Sequence, residues 1–408
     1  MRRVVVTGMG AVTSLGDSWD EVLRNLQAGA SGVEKMPEWD RYPDILTRLG
    51  APVRNFQMPA RFSRKATRTM GRVAQMAVLT AETALSCAGL KDNPLLQSGR
   101  VGVAYGSSTG STDAVRDFGA MLLNGLAGNI NATTYIRMMS HTAAVNIGVH
   151  FGLKGRVIPT SSACTSGSQG IGFGYEAIKY GLQDAMVAGG AEELCASEAA
   201  VFDTLYATST RNDAPKTTPA PFDENRDGLV IGEGACTLVL EAREHALARG
   251  ARIYAEILGF ASNSDGDHVT HPNTQTMEKV MSLALENAGL SAGAVKYVNA
   301  HGTATETGDI AESQATFRMF GQRPPVSSLK GNFGHTLGAC GALESWATIE
   351  MMRTGWFAPT LNLRRVDPRC GDLDYIMNSG RELDIGVAMN NNFAFGGINT
   401  SLLLARVT

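Results

Sequence analysis

Short apolar runs alternate along the chain with longer stretches of helical pattern. Three such runs, each followed by glycine, threonine or proline, lie at residues 4–6, 157–158 and 185–188. Runs without a polar face predict strands buried on both sides, and their alternation with helices predicts an α/β protein. Near the end, residues 386–395 and 401–404 flank Gly396 and Gly397, a pattern that predicts a strand pair around a glycine turn.

One pattern occurs twice, once in each half of the chain. Residues 84–109 predict a helix ending at glycine, then a strand, then a glycine followed by serine and threonine. Residues 284–303 predict the same succession, and the apolar openings of the two halves also correspond. Matching stretches in the same order indicate an internal duplication. We therefore predict two similar halves, residues 1–250 and residues 251–408.

The composition excludes several classes of function. Lys and Arg number 36 against 39 Asp and Glu among 408 residues, so the net charge is -3. This leaves no global basic field for nucleic acid or for an anionic membrane. Charged residues or glycines interrupt every apolar run, so no transmembrane helix is predicted. The six cysteines are scattered without a Cys-x-x-Cys pair, which fits reduced thiols in the cytoplasm.

Cys164 has the sequence setting of a nucleophile. It lies between a predicted strand and a helix rich in glycine, and each glycine lowers helix propensity by about 1 kcal/mol. A chain tolerates such glycines where a buried helix approaches other backbone closely. The positive end of the helix dipole favours a thiolate, and free N–H groups there can hold an oxyanion. For five cysteines we keep the commoner interpretation, a small buried side chain: Cys87, Cys195, Cys236, Cys340 and Cys370.

Two of the seven histidines lie in a distinctive setting. His301 follows a predicted strand, His335 follows a predicted turn, and a glycine adjoins each of them. Small residues surround both at predicted sheet edges, where side chains reach a cavity. His268 and His271 could form a metal pair, but their loop supplies no third ligand, so we predict no metal site. Three histidines have no such setting and are interpreted as structural: His141, His150 and His245.

Taken together, these motifs resemble those of the β-ketoacyl-acyl-carrier-protein synthases, and most closely the elongating type II enzymes. The resemblance covers essentially the whole chain. Its strongest marks are Ser-Ala-Cys at 162–164, His-Gly-Thr-Ala-Thr at 301–305 and Lys-Gly-Asn-Phe-Gly-His at 330–335. Further matching motifs lie at residues 4–10, 209–213, 221–228, 232–234 and 392–399. The resemblance implies a thiolase-like fold, in which duplicated βαβαβαββ halves form five αβαβα layers.

The resemblance also implies a mechanism. Cys164 would accept an acyl chain from a carrier thioester, with the backbone N–H groups of Cys164 and the gate residue Phe395 as the oxyanion hole. His301 and His335 would then stabilise the enolate that forms when a malonyl thioester loses its carboxylate. Lys330 is implied as the active-site lysine, and an ordinary buried ion pair is a compatible interpretation. Two carboxylates are implied in support: Glu344, as the partner of Lys330, and Asp309.

The matched positions also imply a path for the substrate. Thr270, Thr303 and Thr305 correspond to residues that bind the pantetheine arm, and Phe202 and Thr109 correspond to residues of the acyl pocket. Type II synthases often carry isoleucine where this chain has Thr109. A threonine there suits a shorter or a conjugated acyl chain, and simple drift at a tolerant wall is the alternative.

Residues 61–72 concentrate positive charge without an intervening acidic residue. On a helix, the basic side chains at positions 61, 64, 65, 68 and 72 would form a one-sided stripe, which is usually a solvated face. This stripe coincides with the carrier-docking region of the family, which favours docking through Arg64, Lys65 and Arg68. The family often adds an arginine where this chain has Tyr206.

The resemblance separates this chain from neighbouring classes of protein. Initiating synthases place asparagine at the position of His335, and thiolases carry a second cysteine in the final hairpin, downstream of Cys370. Chain-length factors lose the nucleophile, which this chain retains. We therefore expect a cytoplasmic, homodimeric elongation enzyme that works with an acyl carrier protein and needs no cofactor beyond the carrier's phosphopantetheine arm. The alternatives are a ketosynthase of a specialised polyketide or polyene pathway and a non-catalytic partner subunit.

Overall fold

The computed structural model describes residues 1–407, and within them it contains fifteen strands and thirteen α-helices. The strands are β1 Val4–Val12, β2 Glu34–Lys35, β3 Leu49–Gly50, β4 Val101–Gly106, β5 Val157–Thr160, β6 Ala185–Glu192, β7 Gly234–Ala242, β8 Ala255–Ser264, β9 Tyr297–Asn299, β10 Pro325–Ser327, β11 Trp356–Phe357, β12 Asp374–Tyr375, β13 Arg381–Glu382, β14 Val387–Ala394 and β15 Ile398–Arg406. The helices are α1 Trp19–Gln27, α2 Arg64–Thr67, α3 Arg72–Cys87, α4 Thr112–Asn124, α5 Ala132–Met138, α6 Thr142–Phe151, α7 Ser166–Lys179, α8 Ala196–Asp203, α9 Arg243–Ala248, α10 Thr274–Ala288, α11 Glu306–Phe320, α12 Lys330–Phe333 and α13 Cys340–Thr354. None of these helices combines the length and the apolarity that crossing a membrane requires.

The predicted duplication is visible in the order of the strands. Eleven strands pair in one sheet, in the order β12-β10-β9-β14-β15-β8-β1-β7-β6-β4-β5. Outward from the β1–β8 junction, the order is β1, β7, β6, β4, β5 on one side and β8, β15, β14, β9, β10 on the other. Corresponding pairs have the same direction: the two inner pairs are antiparallel and the two outer pairs are parallel on both sides. The predicted boundary at residue 250 falls between α9 and β8.

Two helices lie between the halves of the sheet. The helix α7 packs on β4, β6 and β7 and also contacts β8 and β15, whereas α13 contacts β6 and β7 on one side and β14 and β15 on the other. The outer face of the first half is covered by α3 and α6, and that of the second half by α10, on which α11 packs. This gives the five αβαβα layers of the thiolase-like fold.

The layering brings residues from several strands to one region. Because β9, β10 and β14 are parallel to one another, their carboxyl ends meet at one edge of the sheet. His301 follows β9, Lys330 follows β10 and Phe395 follows β14. Cys164 follows β5 in the first half and precedes α7, the helix that also contacts the second half. The duplication therefore places the candidate nucleophile of one half beside the histidines of the other.

The glycines of α7 allow this buried helix to pack against backbone. A Cβ atom added at Gly170 would lie 2.6 Å from the carbonyl oxygen of Gly189 and 2.9 Å from that of Ala104. At Gly172, the added atom would lie 2.3 Å from the ring of Phe260. Side chains at these positions would push the central helix away from the strands on both sides of it.

The helix predicted over residues 61–72 is interrupted. It is divided into α2 and the start of α3, because Gly71 is extended and packs against Ser111. Arg61 and Arg72 are each held in an ion pair with a buried glutamate, so neither belongs to a free stripe. Three basic residues of the segment 61–72 stay exposed and have no ion-pair partner within residues 1–407: Arg64, Lys65 and Arg68.

We predict that Gly170→Ala lowers the free energy of unfolding by about 1–3 kcal/mol, because the new methyl group overlaps two carbonyl oxygens. Gly119→Ala in α4 is the matched control, since no atom lies within 4 Å of its added Cβ. There, the better helix propensity of alanine should leave stability unchanged or raise it by up to about 1 kcal/mol. Urea unfolding of both variants checks the prediction, and equal destabilisation of the two would contradict it.

Candidate active site

A cavity of about 230 Å³ leads from the surface to Cys164. His301 and His335 line the same cavity, so the structure brings together the three residues for which the sequence predicted chemistry. The cavity walls also contain five residues that the resemblance placed along the substrate path or at the gate: Phe202, Thr270, Thr303, Thr305 and Phe395.

Cys164 lies in a turn of 3₁₀-helix, Ala163–Thr165, that leads from β5 into α7. Ala163 adopts a φ of 48°, a left-handed conformation that costs a non-glycine residue roughly 1–2 kcal/mol and is often found at functional sites. The thiol is buried, and its Sγ lies 3.0 Å from Nε2 of His335. The turn therefore directs the sulfur toward a histidine of the other half.

The thiol of Cys164 is protonated in the free protein. Burial raises its pKa to about 12, although the charge of Lys330 and the backbone N–H groups of Phe395 and Cys164 act in the opposite direction. The sequence indicated that the helix dipole favours a thiolate, but burial acts in the opposite direction and is the larger influence on this pKa. The same two N–H groups are placed to bind an oxyanion on a carbon attached to the sulfur.

A buried carboxylate holds the loop of His301. The backbone N–H groups of His301 and Gly302 donate to Oε1 and Oε2 of Glu312, at 2.6 and 2.7 Å. Nδ1 of His301 faces the side-chain amide nitrogen of Asn392 at 3.4 Å. Because that nitrogen can only donate, Nδ1 accepts, and the neutral ring carries its proton on Nε2.

His335 faces His301 with the ring centroids 5.1 Å apart and the ring planes at 86°. Its Nδ1 has no hydrogen-bond partner among the described residues, and a buried N–H without a partner is costly, so the proton belongs on Nε2. Burial lowers the pKa of both histidines well below its ordinary value, and the charge of Lys330 lowers it further. Both rings are therefore neutral N–H donors near pH 7.

A buried ion pair between Lys330 and Glu344 lies beside the histidines. Burial lowers the pKa of the lysine, but the charge and the hydrogen bond of Glu344 outweigh it, so the pKa is raised and the ammonium keeps its proton. Glu344 also accepts a hydrogen bond from the amide of Asn392 at 2.6 Å. The ion pair thus orients the amide that orients His301.

Asp309 shapes the loop that carries Thr303 and Thr305. Its Oδ1 accepts the backbone N–H groups of Thr303 and of the next residue, at 3.0 and 3.1 Å, and its Oδ2 accepts that of Phe222 at 2.6 Å. Burial raises the pKa of Asp309 to about 6, against the opposing charge of Arg226. The two threonine hydroxyls are 2.9 Å apart on the cavity wall, where they can form hydrogen bonds to a ligand.

Two family models match most of the chain, up to residue 364. The model of the β-ketoacyl synthase N-terminal domain matches residues 1–246, and that of the C-terminal domain matches residues 254–364. The chain belongs to the β-ketoacyl synthase family. The cysteine and the two histidines of the cavity lie within these two matches, one on the first and two on the second.

Individual relatives agree with this membership. The "3-oxoacyl-[acyl-carrier-protein] synthase 2" of Coxiella burnetii is 37% identical, over 100% of this chain and 99% of its own. A crystal structure of a β-ketoacyl synthase from Burkholderia phymatum STM815 is 58% identical, with a TM-score of 0.99 and full coverage of both chains. The ketosynthase AntDE, solved with its type II polyketide acyl-carrier protein AntF, is 32% identical, with a TM-score of 0.88 and full coverage.

Three buried residues of this β-ketoacyl synthase have structural roles that the sequence analysis did not predict: Glu312, Asn392 and Glu192. Asn392 ends an Asn-Asn-Asn run inside the buried strand β14, where three polar residues are a signal of function. Glu312 follows Asp309 by three residues, on the same face of α11. Glu192 ends β6 and accepts the N–H groups of Ser108 and Gly338, at 2.7 and 3.0 Å. It joins the loop after β4 to the loop after His335.

Thr109 lies outside the cavity that Phe202 lines. It is exposed on the surface of the synthase, and its hydroxyl donates to Oε1 of Glu198 at 2.9 Å. Glu198 is buried one turn before Phe202 on α8, and burial raises its pKa well above the ordinary value. The expected wall position is therefore a polar contact behind Phe202 and not part of the cavity surface.

The cavity contains three side chains of types that bind metal ions. One ligand atom each of Cys164, His301 and His335 lies within 4.8 Å of the others, which is close enough for zinc. The positive charge of Lys330, which already lowers the pKa of both histidines, disfavours a divalent cation there. His268 and His271 lie on the exposed rim, with their Nδ1 atoms 2.8 Å apart.

We predict that iodoacetamide alkylates Cys164 at a rate that rises about tenfold per pH unit from pH 7 to 9.5, without a plateau. The reason is that its pKa of about 12 leaves only a small, pH-proportional fraction of thiolate in this range. The rate can be followed by mass spectrometry of the peptide that contains Cys164, with Cys164→Ala to identify the signal. A plateau below pH 9 would show a resting thiolate and contradict the prediction.

Proposed function

We propose that this protein is an elongating β-ketoacyl-acyl-carrier-protein synthase, which lengthens an acyl chain by two carbons. One observation carries the proposal: the sulfur of Cys164 lies 3.0 Å from His335, and His301 faces the same cavity. The name of the Coxiella burnetii relative supports the same activity. A non-catalytic partner subunit would not need this arrangement, so that alternative is disfavoured.

In the first half-reaction, the sulfur of Cys164 attacks the carbonyl carbon of an acyl thioester. A carbon–sulfur bond to Cys164 forms, the bond to the pantetheine sulfur breaks, and the proton of the thiol passes to the departing sulfur. Because the resting thiol has a pKa of about 12, this proton leaves as the new bond forms. The N–H groups of Cys164 and Phe395 bind the oxyanion of the tetrahedral intermediate.

In the second half-reaction, a malonyl thioester enters the same cavity. Its carbon–carboxylate bond breaks, carbon dioxide leaves, and the electron pair is held as an enolate. We assign the enolate oxygen to the Nε2–H groups of His301 and His335, the two neutral donors of the cavity. The nucleophilic carbon then attacks the acyl-cysteine carbonyl, the new carbon–carbon bond forms, and the Cys164 sulfur leaves and recovers a proton.

Lys330 contributes to this chemistry through the positive charge of its ammonium group. Its charge favours neutral histidines, which donate hydrogen bonds to the enolate without protonating its carbon. Thr270, Thr303 and Thr305 hold the pantetheine arm along the wall of the cavity, and Phe202 and Phe395, with ring centroids 5.0 Å apart, bound the acyl end. The proposed chemistry uses no cofactor beyond the phosphopantetheine arm of the carrier.

We predict that His301→Ala or His335→Ala slows malonyl decarboxylation by about 100-fold or more, the usual cost of losing one oxyanion donor. Acylation of Cys164 should be much less impaired, because the N–H groups of Cys164 and Phe395 serve that step. His245→Gln, on α9 beyond the cavity, is the matched control. Carbon dioxide release and intact-mass detection of the acyl-enzyme measure the two steps. Lost acylation with normal decarboxylation would refute the assignment.

The partner that we propose is an acyl carrier protein, which delivers both thioesters. The exposed charges of Arg64, Lys65 and Arg68 support docking of an acidic carrier. A structural neighbour, AntDE, was solved with an acyl-carrier protein, which supports a similar partner here.

We predict that reversing Lys65 and Arg68 to Glu raises the KM for acyl-carrier substrate by about tenfold at low salt, because charges at a rim act mainly on encounter. A small acyl thioester that needs no docking should be used normally, and added salt should reproduce the defect in the unaltered protein. Reversing Lys279 and Arg318, two exposed basic residues of α10 and α11, is the matched control. Equal loss with both substrates would mean that these charges support folding.

We also propose that the synthase is a homodimer in the cytoplasm. The strand β5 ends the sheet, its Val157 is exposed, and an unpaired sheet edge of this kind is a common interface. Large apolar side chains are exposed on α4, after it and on α5: Leu122, Leu123, Leu126 and Tyr135. A cytoplasmic location is supported by the cysteines, all six of which lie in the described residues as free thiols.

A specialised polyketide or polyene ketosynthase is the second candidate, with the same chemistry and another acyl chain. The likeness to AntDE, a ketosynthase of 32% identity, favours it. Comparing turnover of saturated and polyenoyl thioesters of equal length separates the two. Preference for the saturated series supports fatty acid elongation, and preference for the polyenoyl series supports the second candidate.

A further inference from the structure

The rim of the active-site cavity carries an unusual group of exposed apolar side chains. Leu205 and Val269 both line the cavity, and they are 45% and 65% exposed at its mouth. Tyr206 is adjacent to Leu205 and is 84% exposed, and Val201 on α8 is 55% exposed. We call these four residues the apolar collar. Exposed apolar side chains that gather around one opening mark an interaction surface.

The backbone holds Tyr206 outward. Its N–H donates to the carbonyl of Asp203 at 2.9 Å, and the N–H of Ala207 donates to the carbonyl of Phe202 at 3.0 Å. Tyr206 has a φ of 52°, the left-handed conformation with which helices commonly end. The turn is therefore an ordered end of α8, and the exposed Tyr206 adjoins Leu205 and Ala207, which line the cavity.

The position of the collar indicates what covers it. Leu205 and Val269 line the cavity and are also exposed at its mouth, so a thioester arm that reaches Cys164 passes close to them. The protein to which the arm is attached must then lie over the collar. Its surface there has to be apolar, because an acidic surface would lose hydration against valine, leucine and tyrosine without gaining a charge partner.

We propose that the apolar collar binds an apolar face of the acyl carrier protein, and that Tyr206 is the main anchor of this contact. The inference rests on the proposed function, because it names the second part of the surface through which that partner binds. The collar and the basic residues of the α2 segment act differently. The charges attract the carrier protein before contact, whereas the collar buries apolar surface after the arm has entered the cavity.

Salt distinguishes the two parts of the surface. Ionic strength screens attraction between exposed charges but does not weaken the burial of apolar area. The contribution of Tyr206 should therefore persist at a salt concentration that abolishes the contribution of Lys65 and Arg68.

The test compares Tyr206→Ser, Tyr206→Phe and the control Tyr180→Ser at 50 and 500 mM salt. Tyr180 is also an exposed tyrosine, but it lies at the far end of α7 from Cys164. The substrates are acyl-carrier protein and the same acyl group on pantetheine. We expect Tyr206→Ser to raise the KM for acyl-carrier protein roughly fivefold at both salt concentrations, with kcat and acyl-pantetheine turnover unchanged. Tyr206→Phe and Tyr180→Ser should match the unaltered protein.

Three results would overturn the proposal: an unchanged KM in Tyr206→Ser, an equal loss with acyl-pantetheine, or a defect that disappears at 500 mM salt. The first would show that the collar is not in the interface, the second that Tyr206 supports the site itself, and the third that the contact is electrostatic. Failure of the proposed function is distinct from all three, because the unaltered protein would then show no turnover with acyl-carrier protein.

Discussion

Burial, together with the ion pair of Lys330 and Glu344, sets the electrostatics on which the rest of the site depends. Taking two charges out of water is expensive, and removing one partner of such a pair typically costs about 3–5 kcal/mol. Here the pair acts on four neighbouring residues. The lysine charge lowers the pKa of His301 and His335 and partly offsets the burial of Cys164, and the carboxylate fixes the amide of Asn392.

The duplicated fold explains how so many polar groups converge in a buried place. Cys164, the candidate nucleophile, comes from the turn after β5 in the first half, and both histidines, Lys330 and Phe395 come from the second half. The helices α7 and α13 pack between the two halves of the sheet and bring the residues of the two halves together. Neither half contains the complete site, so the chemistry depends on the packing of α7 as directly as on the residues themselves.

The fold, and the three side chains that meet in the cavity, could be predicted from the sequence because both leave local signals. Buried strands read as short apolar runs, and Cys164, His301 and His335 each stand among glycines and small residues. Glu312 and Asn392 could not be assigned, because their roles exist only once a helix and a strand distant in sequence pack around His301. The raised pKa of Cys164 could not be predicted either. The position of a residue in the sequence indicates that it lies at a helix N-terminus, but it does not indicate how deeply the side chain is buried.

The basic segment shows a similar limit. Spacing alone predicted one continuous stripe over residues 61–72, but Gly71 interrupts the helix where it packs against Ser111. Arg61 and Arg72 are then drawn into ion pairs with glutamates from α3 and from the segment before β7. Only the tertiary contacts show which charges of the segment remain free for a partner.

Burial and the charge of Lys330 lower the pKa of both cavity histidines, which favours their neutral form as hydrogen-bond donors. Nuclear magnetic resonance of the protein labelled with ¹⁵N-histidine measures this directly. We expect the ring nitrogens of His301 and His335, assigned by substitution, to keep the chemical shifts of the neutral Nε2–H form from pH 8 down to pH 5.5. Titration of either ring with a pKa near its ordinary value of about 6.5 would contradict it.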